Sequence, residues 1–243
     1  MNTNVVPLPG DKPVTAEAMI DLTFDQIFES RSKLPWWPWV GRRFSESPVK
    51  TMFVGESIYK WNPERDLFGR RYAKADGLRV THGNHAMDFT RKSAYVRNIE
   101  RAVFAAASPI KERKQSLWLS IAYHNLVLRP MPSAKHRPRE SDYREGWEEL
   151  FEICRVLSIE QCLVYVLEPA KLRAMKDVSS RLDIPCTVRA VASKIGGNQA
   201  KVAIVGDGPS TLRLLFVRHP SAFFSWRKWG PVIRENLDLR QFA

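Results

Sequence analysis

Apolar residues follow two rhythms along this chain. Short apolar runs mark buried strands: residues 51–55 around Met52-Phe53-Val54, then Leu117 to Leu128 (interrupted by His124-Asn125), Cys162 to Leu167, and Leu212 to Val217. Between them, apolar residues recur every three or four positions, the rhythm of a helix with one buried face. Thr15 to Arg31 reads as the first helix, with Thr15 as N-cap and Met19, Ile20, Leu22, Phe24, Ile27 and Phe28 as a broad apolar face. Phe89 to Ala107 carries Tyr95, Ile99 and Val103 at four-residue spacing. Ser141 caps a third helix running through Leu157, with Trp147, Leu150, Phe151 and Cys154 turned inward. Pro169 to Leu182 and Arg227 to Asn236 give two more.

The remaining segments break both rhythms. Prolines make Leu34 to Phe44, with Trp36, Trp37 and Trp39, an ordered loop. Lys60 to Arg79 is polar and too long for a simple turn, so it reads as a functional loop. Arg129 to Arg139 is proline-rich and basic. Val188 to Ile195 and Val202 to Val205, parted by Gly196-Gly197-Asn198, read as an exposed hairpin or an extra strand pair. Residues 1–13 read as a loose arm. The alternation of strand and helix predicts one α/β domain over residues 1–243. It is a three-layer α/β/α fold around a central, mostly parallel four-stranded sheet.

Charge narrows the partner. The 243 residues carry a formal net charge of +12, which favours a polyanion through phosphate attraction and counterion release. Eight Trp and twelve Phe add rings that can stack on bases or wedge between them, pointing to nucleic acid. The three cysteines form no CxxC pair, so neither a disulfide framework nor a zinc site is expected. His82 and His85, with Asp88 nearby, lack evident third and fourth ligands, and no metal is expected. The opening MNTNVVPLPGDKP lacks the form of a signal peptide, and no apolar run approaches the ~20 residues that span a bilayer. A cytoplasmic monomer without membrane contact is the expectation. No GxxxxGK[ST] or GxGxxG nucleotide motif is present.

Four clusters carry candidate chemistry. Gly55-Glu56-Ser57-Ile58-Tyr59 follows the first strand, where glycine permits a close approach and Glu56, Ser57 and Tyr59 supply a carboxylate, a hydroxyl and a flat wall. His124-Asn125 interrupts the second, and an Asn amide can read the Watson–Crick edge of a flipped pyrimidine. His219-Pro220-Ser221 ends the last strand, with an imidazole able to donate to a base carbonyl. Phe223 and Phe224 follow it directly as an apolar wedge. In open α/β sheets such strand ends line the ligand crevice.

In this order these residues resemble the uracil-DNA glycosylase superfamily. Its members have a first motif after strand one, an Asn ending a middle strand and a His-Pro-Ser motif after the last strand. The run Asn125-Leu126-Val127-Leu128-Arg129-Pro130 with Arg137-Pro138 is similar to its iron–sulfur branch. That branch holds its cluster with four cysteines. The three here imply no iron–sulfur cluster, and no cofactor is expected. In the best-known branch an Asp that orients water stands where this chain has Ser57.

The resemblance implies hydrolysis of the N-glycosidic bond of a non-standard pyrimidine in DNA. Uracil or a bulky modified cytosine is the expected base, and a phage-defence enzyme acting on glucosylated hydroxymethylcytosine is one alternative. Catalysis would rest on His219, Glu56 and Ser57, with Asp88 as a second carboxylate. Asn125, Tyr59 and Phe68 would hold the base, and Arg70, Arg71, Arg137, Arg139, Ser221, Phe223 and Phe224 the DNA. The alternative of another class is a DNA-binding module that keeps the pocket without the chemistry.

Overall fold

The structure, a computed structural model, describes residues 16–31, 33–59, 67–89, 91–133, 135–165, 167–221 and 223–242, with the backbone alone at 16, 17, 67, 68 and 210. Its strands are β1 (Trp39–Val40), β2 (Thr51–Gly55), β3 (Ile58–Tyr59), β4 (Ala122–Asn125), β5 (Pro130–Met131), β6 (Gln161–Tyr165), β7 (Cys186–Ile195), β8 (Asn198–Val205) and β9 (Leu212–Val217). Its helices are α1 (Asp25–Glu29), α2 (Leu67–Tyr72), α3 (Gly77–Ala86), α4 (Ala94–Phe104), α5 (Lys111–Leu119), α6 (Glu140–Val156), α7 (Pro169–Arg181) and α8 (Trp226–Asn236).

The main sheet runs β1-β4-β2-β6-β9-β8-β7. Its four central strands, β4, β2, β6 and β9, are parallel. The sheet has seven strands rather than the four expected, because β1 adds antiparallel on one edge and the β8–β7 hairpin on the other. The extra strand pair is therefore part of the main sheet. Every residue of β2, β4 and β6 is buried, which explains the apolar runs Met52-Phe53-Val54 of β2 and Cys162-Leu163-Val164 of β6.

Side chains alternate between two helical layers. Phe53, Tyr123, Leu163 and Leu215 pack against Leu78, Ile99, Trp118, Trp229 and Ile233 from α3, α4, α5 and α8. Met52, Val54, Cys162 and Phe216 pack against Trp147, Leu150, Ile153, Met175 and Val178 from α6 and α7. Cys154 and Cys162 are buried in that second layer as free thiols.

Three expectations change. Thr15 and residues 1–13 lie outside the described residues, and the rest of the first helix is a 3-10 turn at Ala16–Met19 followed by the short α1. Ile20 bridges the backbone of Gly41, and Asp21 Oδ1 accepts from the Thr23 N–H at 3.0 Å, so helical hydrogen bonding stops there. The apolar run Leu117 to Leu128 is two elements. Its first residues end α5, Ser120 turns the chain, and only Ala122–Asn125 is strand. An apolar run cannot by its period separate a buried helix end from a buried strand.

The Lys60 to Arg79 segment holds α2 and the start of α3, while residues 60–66 lie outside the described set. Arg79 is buried there. It donates to the Pro38 carbonyl at 2.9 Å and forks the Asp25 carboxylate, which fastens α3 to the Trp-rich segment. That segment is structural: Trp36 and Trp39 are buried, and their indoles donate to the Tyr72 and Trp118 carbonyls at 2.9 and 2.8 Å.

Candidate active site

Strand register assembles the site. Gly55 and Asn125 are Cα partners at the carboxyl ends of β2 and β4. Tyr165 of β6 pairs with Val217 of β9, two residues before His219. A Cβ on Gly55 would run into Asn125 Oδ1 and the Tyr123 hydroxyl, so glycine is what lets the amide lie against the strand. Tyr123 Oη donates to Asn125 Oδ1 at 2.9 Å. The carbonyl end of the amide is thus held from behind. Among the described residues no protein group takes the Nδ2 hydrogens. Asn125 is buried, at 4% exposure, with its donor end unpaired by the described residues.

The His219 turn is built around the imidazole. The Ser221 N–H donates to His219 Nδ1 at 3.1 Å, and the Ser221 hydroxyl lies 2.7 Å from the same nitrogen. Nδ1 therefore carries the lone pair and Nε2 the proton. Asn98 of α4 donates to the Pro220 carbonyl at 2.7 Å and fixes the turn. Burial pushes the imidazole down to about 4, with Glu56 pulling against Lys171 and Arg137. At neutral pH the ring is an uncharged Nε2–H donor.

Glu56 follows β2, whose place in the sheet is between β4 and β9, and is 4% exposed. Tyr143 Oη lies 3.0 Å from its Oε1 and Lys171 Nζ lies 3.6 Å from the same oxygen. Tyr59 Oη is 3.4 Å from its Oε2, a longer contact that leaves this oxygen the less engaged. Lys171 is fully buried, donates to the Tyr165 carbonyl at 2.8 Å and sits 5.5 Å from the Tyr143 ring centre. Burial pushes its ammonium down to about 8, and the attraction of Glu56 and Glu168 limits the fall. The small parallel pair β3–β5, with Tyr59 opposite Met131, leads the 129–139 loop toward Glu56. Arg137 there donates to Glu168 at 2.7 Å and lies 3.9 Å from Glu56.

Glu56, Tyr59, Asn125, Arg137 and His219 of the expected set thus cluster at one sheet edge. Ser57 stays beside Tyr59, half-buried, with its Oγ buried and without a hydrogen-bond partner among the described residues. Others are redirected. Arg137, expected on phosphate, is ion-paired within the Glu56 cluster. Ser221 spends its N–H and hydroxyl on His219. Phe224 is not a wedge: it is buried and stacks on Trp229 with ring centres 6.0 Å apart. Phe223 is 89% exposed, held at φ 52° with the Arg218 guanidinium 5.4 Å from its ring centre. The Phe68 side chain lies outside the described residues.

Arg70 and Arg71 are exposed on the last turn of α2. Arg139 is exposed at the start of α6, its N–H on Asp142 at 2.7 Å. Asp88 lies beside His85 at the end of α3, on a different element from the Glu56 cluster. His82 stacks on Tyr123 at 3.8 Å between Trp39 and Trp118, while His85 meets the Ser93 hydroxyl at 3.0 Å. Among the described residues no group of three or more His, Cys, Asp or Glu could hold a metal ion, and no helix is long and apolar enough to cross a membrane.

Tyr123, Tyr143, Glu168, Lys171 and Arg218 were not singled out from the sequence. Lys171 did leave a signal, since it opens the buried stripe Lys171, Ala174, Met175, Val178 of α7. A lysine on an apolar stripe needs a buried partner. No protein-family model matches the chain, and no curated protein matches it.

Proposed function

We propose that the protein is a DNA glycosylase, a divergent relative of the uracil-DNA glycosylases, that hydrolyses the N-glycosidic bond of a flipped non-standard pyrimidine. The observation that carries this reading is the pairing of two ligand-directed donors at one sheet edge. Asn125 offers Nδ2 and His219 offers Nε2–H on a neutral ring, each fixed from behind by its own chain. Asn125 grips the base edge. His219 donates to a base carbonyl as the bond breaks and the base gathers negative charge, an effect of ~3–4 kcal/mol for one preorganised donor. Glu56 orients water toward the sugar carbon and balances the positive charge that develops there. Phe223 stands where an exposed ring can fill the gap left by the flipped base. Arg71, Arg139 and Arg218 meet phosphates.

The test is alkali-induced strand scission of duplexes carrying uracil, 5-substituted uracils or glucosylated hydroxymethylcytosine. Scission at the modified position supports the reading. A second reading, a DNA-binding module without turnover, is favoured by the engagement of Glu56 Oε1 by Tyr143 and Lys171, and by Ser57 standing where the best-known branch of the uracil-DNA glycosylase superfamily has an Asp. Tight DNA binding with no scission across the set would establish it.

A further inference from the structure

We infer that Tyr143 is a proton relay joining the buried Glu56 to the more exposed Glu168, and that the proton shed by the attacking water leaves the site along it. The inference rests on the glycosylase reading, which makes Glu56 the group that receives this proton.

Tyr143, in the first turn of α6, is fully buried. Its hydroxyl lies 3.0 Å from Glu56 Oε1 and 2.7 Å from Glu168 Oε2. A phenol has one proton and donates to one carboxylate at a time. Both contacts become hydrogen bonds only when a further proton sits on one of the acids. With that proton on Glu56, the carboxyl donates to the phenol oxygen and the phenol donates to Glu168. With it on Glu168, both bonds reverse. The two forms differ by the place of one proton, and the phenol joins them.

Exposure gives the direction: the Glu56 side chain is 4% exposed and the Glu168 side chain 25%. The groups facing the pair are Lys171, 3.6 Å from Glu56, and Arg137, 3.9 Å from Glu56 and 2.7 Å from Glu168. Tyr59 touches Glu56 Oε2, and His219 lies within electrostatic reach of Glu56. Two cations balance two carboxylates, so the passing proton is the one added charge. Burial and the two neighbouring carboxylates push the Tyr143 phenol up, so it passes protons without ionising.

The step balances. The C1′–N bond breaks with its electron pair going to the base. The water oxygen bonds C1′ and one water proton moves to Glu56. Glu56 hands it to the Tyr143 oxygen as Tyr143 hands its own proton to Glu168, which releases it to solvent. The base leaves as the anion held by His219 and takes a proton from solvent.

The test measures multiple-turnover base release by wild type, Tyr143→Phe and Glu168→Gln in weak buffer and at rising imidazole concentration. Tyr143→Phe is expected to keep DNA affinity, to lose about 10²-fold in turnover, the low end for a positioned proton transfer, and to recover as imidazole carries the proton. Glu168→Gln is expected to show the same pattern in smaller measure, and its more exposed site keeps the test alive if Tyr143→Phe unfolds. Wild type is expected to be indifferent to imidazole. Unchanged turnover in both variants, or a loss that imidazole does not restore, overturns the relay. Wild type that binds DNA but releases no base overturns the glycosylase reading, and the relay with it. That outcome is told apart because wild-type turnover is read first.

Discussion

On the Glu56 side of the site, Glu56, Glu168, Lys171 and Arg137 each have an oppositely charged neighbour, with Tyr143 between the two acids. Asn125 and His219, by contrast, are each held at one end by a neighbour, and their Nδ2 and Nε2 make no hydrogen bond to the described residues. The first half is a closed ionic cluster that holds its shape without a ligand. The second, in the proposed function, is a pair of donors aimed at a base. On that reading the contrast separates a part of the site that would support chemistry from a part that would recognise a base.

The largest expected effect tests the closed half. Lys171→Met keeps the volume but leaves Glu56 without its buried cation, and should lower unfolding free energy by about 3–5 kcal/mol in a urea titration. A loss under ~1 kcal/mol, the usual range for an exposed pair, would mean the cluster is not closed. His219→Ala tests the aimed half. Turnover should fall about 10²–10³-fold with little change in DNA affinity. Equal losses in both would deny it a role in the transition state.

The same imidazole should titrate at about 4 rather than near 6.5, which its NMR shifts report. The sign follows from burial. The folded ring binds protons less well than the unfolded one, so stability rises with pH between about 4 and 6.5 and is flat above. His85, also held at about 4, adds to the same window.

Smaller effects follow. Tyr123→Phe removes the hydrogen bond that fixes the Asn125 carbonyl end, worth ~1 kcal/mol. Discrimination between 4-oxo and 4-amino pyrimidines should loosen about fivefold, measured as a ratio of kcat/KM values. Unchanged discrimination would show that Gly55 and the strand hold the amide alone. The smallest effect should come from Arg71→Gln and Arg139→Gln. Each should weaken DNA binding at every sequence alike and flatten the log–log salt dependence by about 0.9.

The parts of the fold and site readable from sequence were those whose signal is local. The central parallel strands were visible because burial on both faces forces continuous apolar runs, and Gly55, Asn125 and His219 because they interrupt such runs at their ends. The edge strand β1 was hidden in a proline-rich stretch that reads as a loop, and its Trp36 and Trp39 pack inside. The closed half was legible only at Glu56 and Arg137, because Tyr143, Glu168 and Lys171 come from α6, α7 and the turn between β6 and α7. Partners brought together by tertiary packing leave no spacing to read. Phe223 and Phe224 make the same point. Two adjacent identical residues face solvent and core respectively, and a single left-handed residue decides which is which.

The most direct test of the central claim is mass analysis of the small molecules released when the protein is incubated with mixed genomic and phage DNA. The account predicts a free pyrimidine base, matched by abasic sites in the DNA and lost with His219→Ala. DNA that is bound but yields no free base would contradict it.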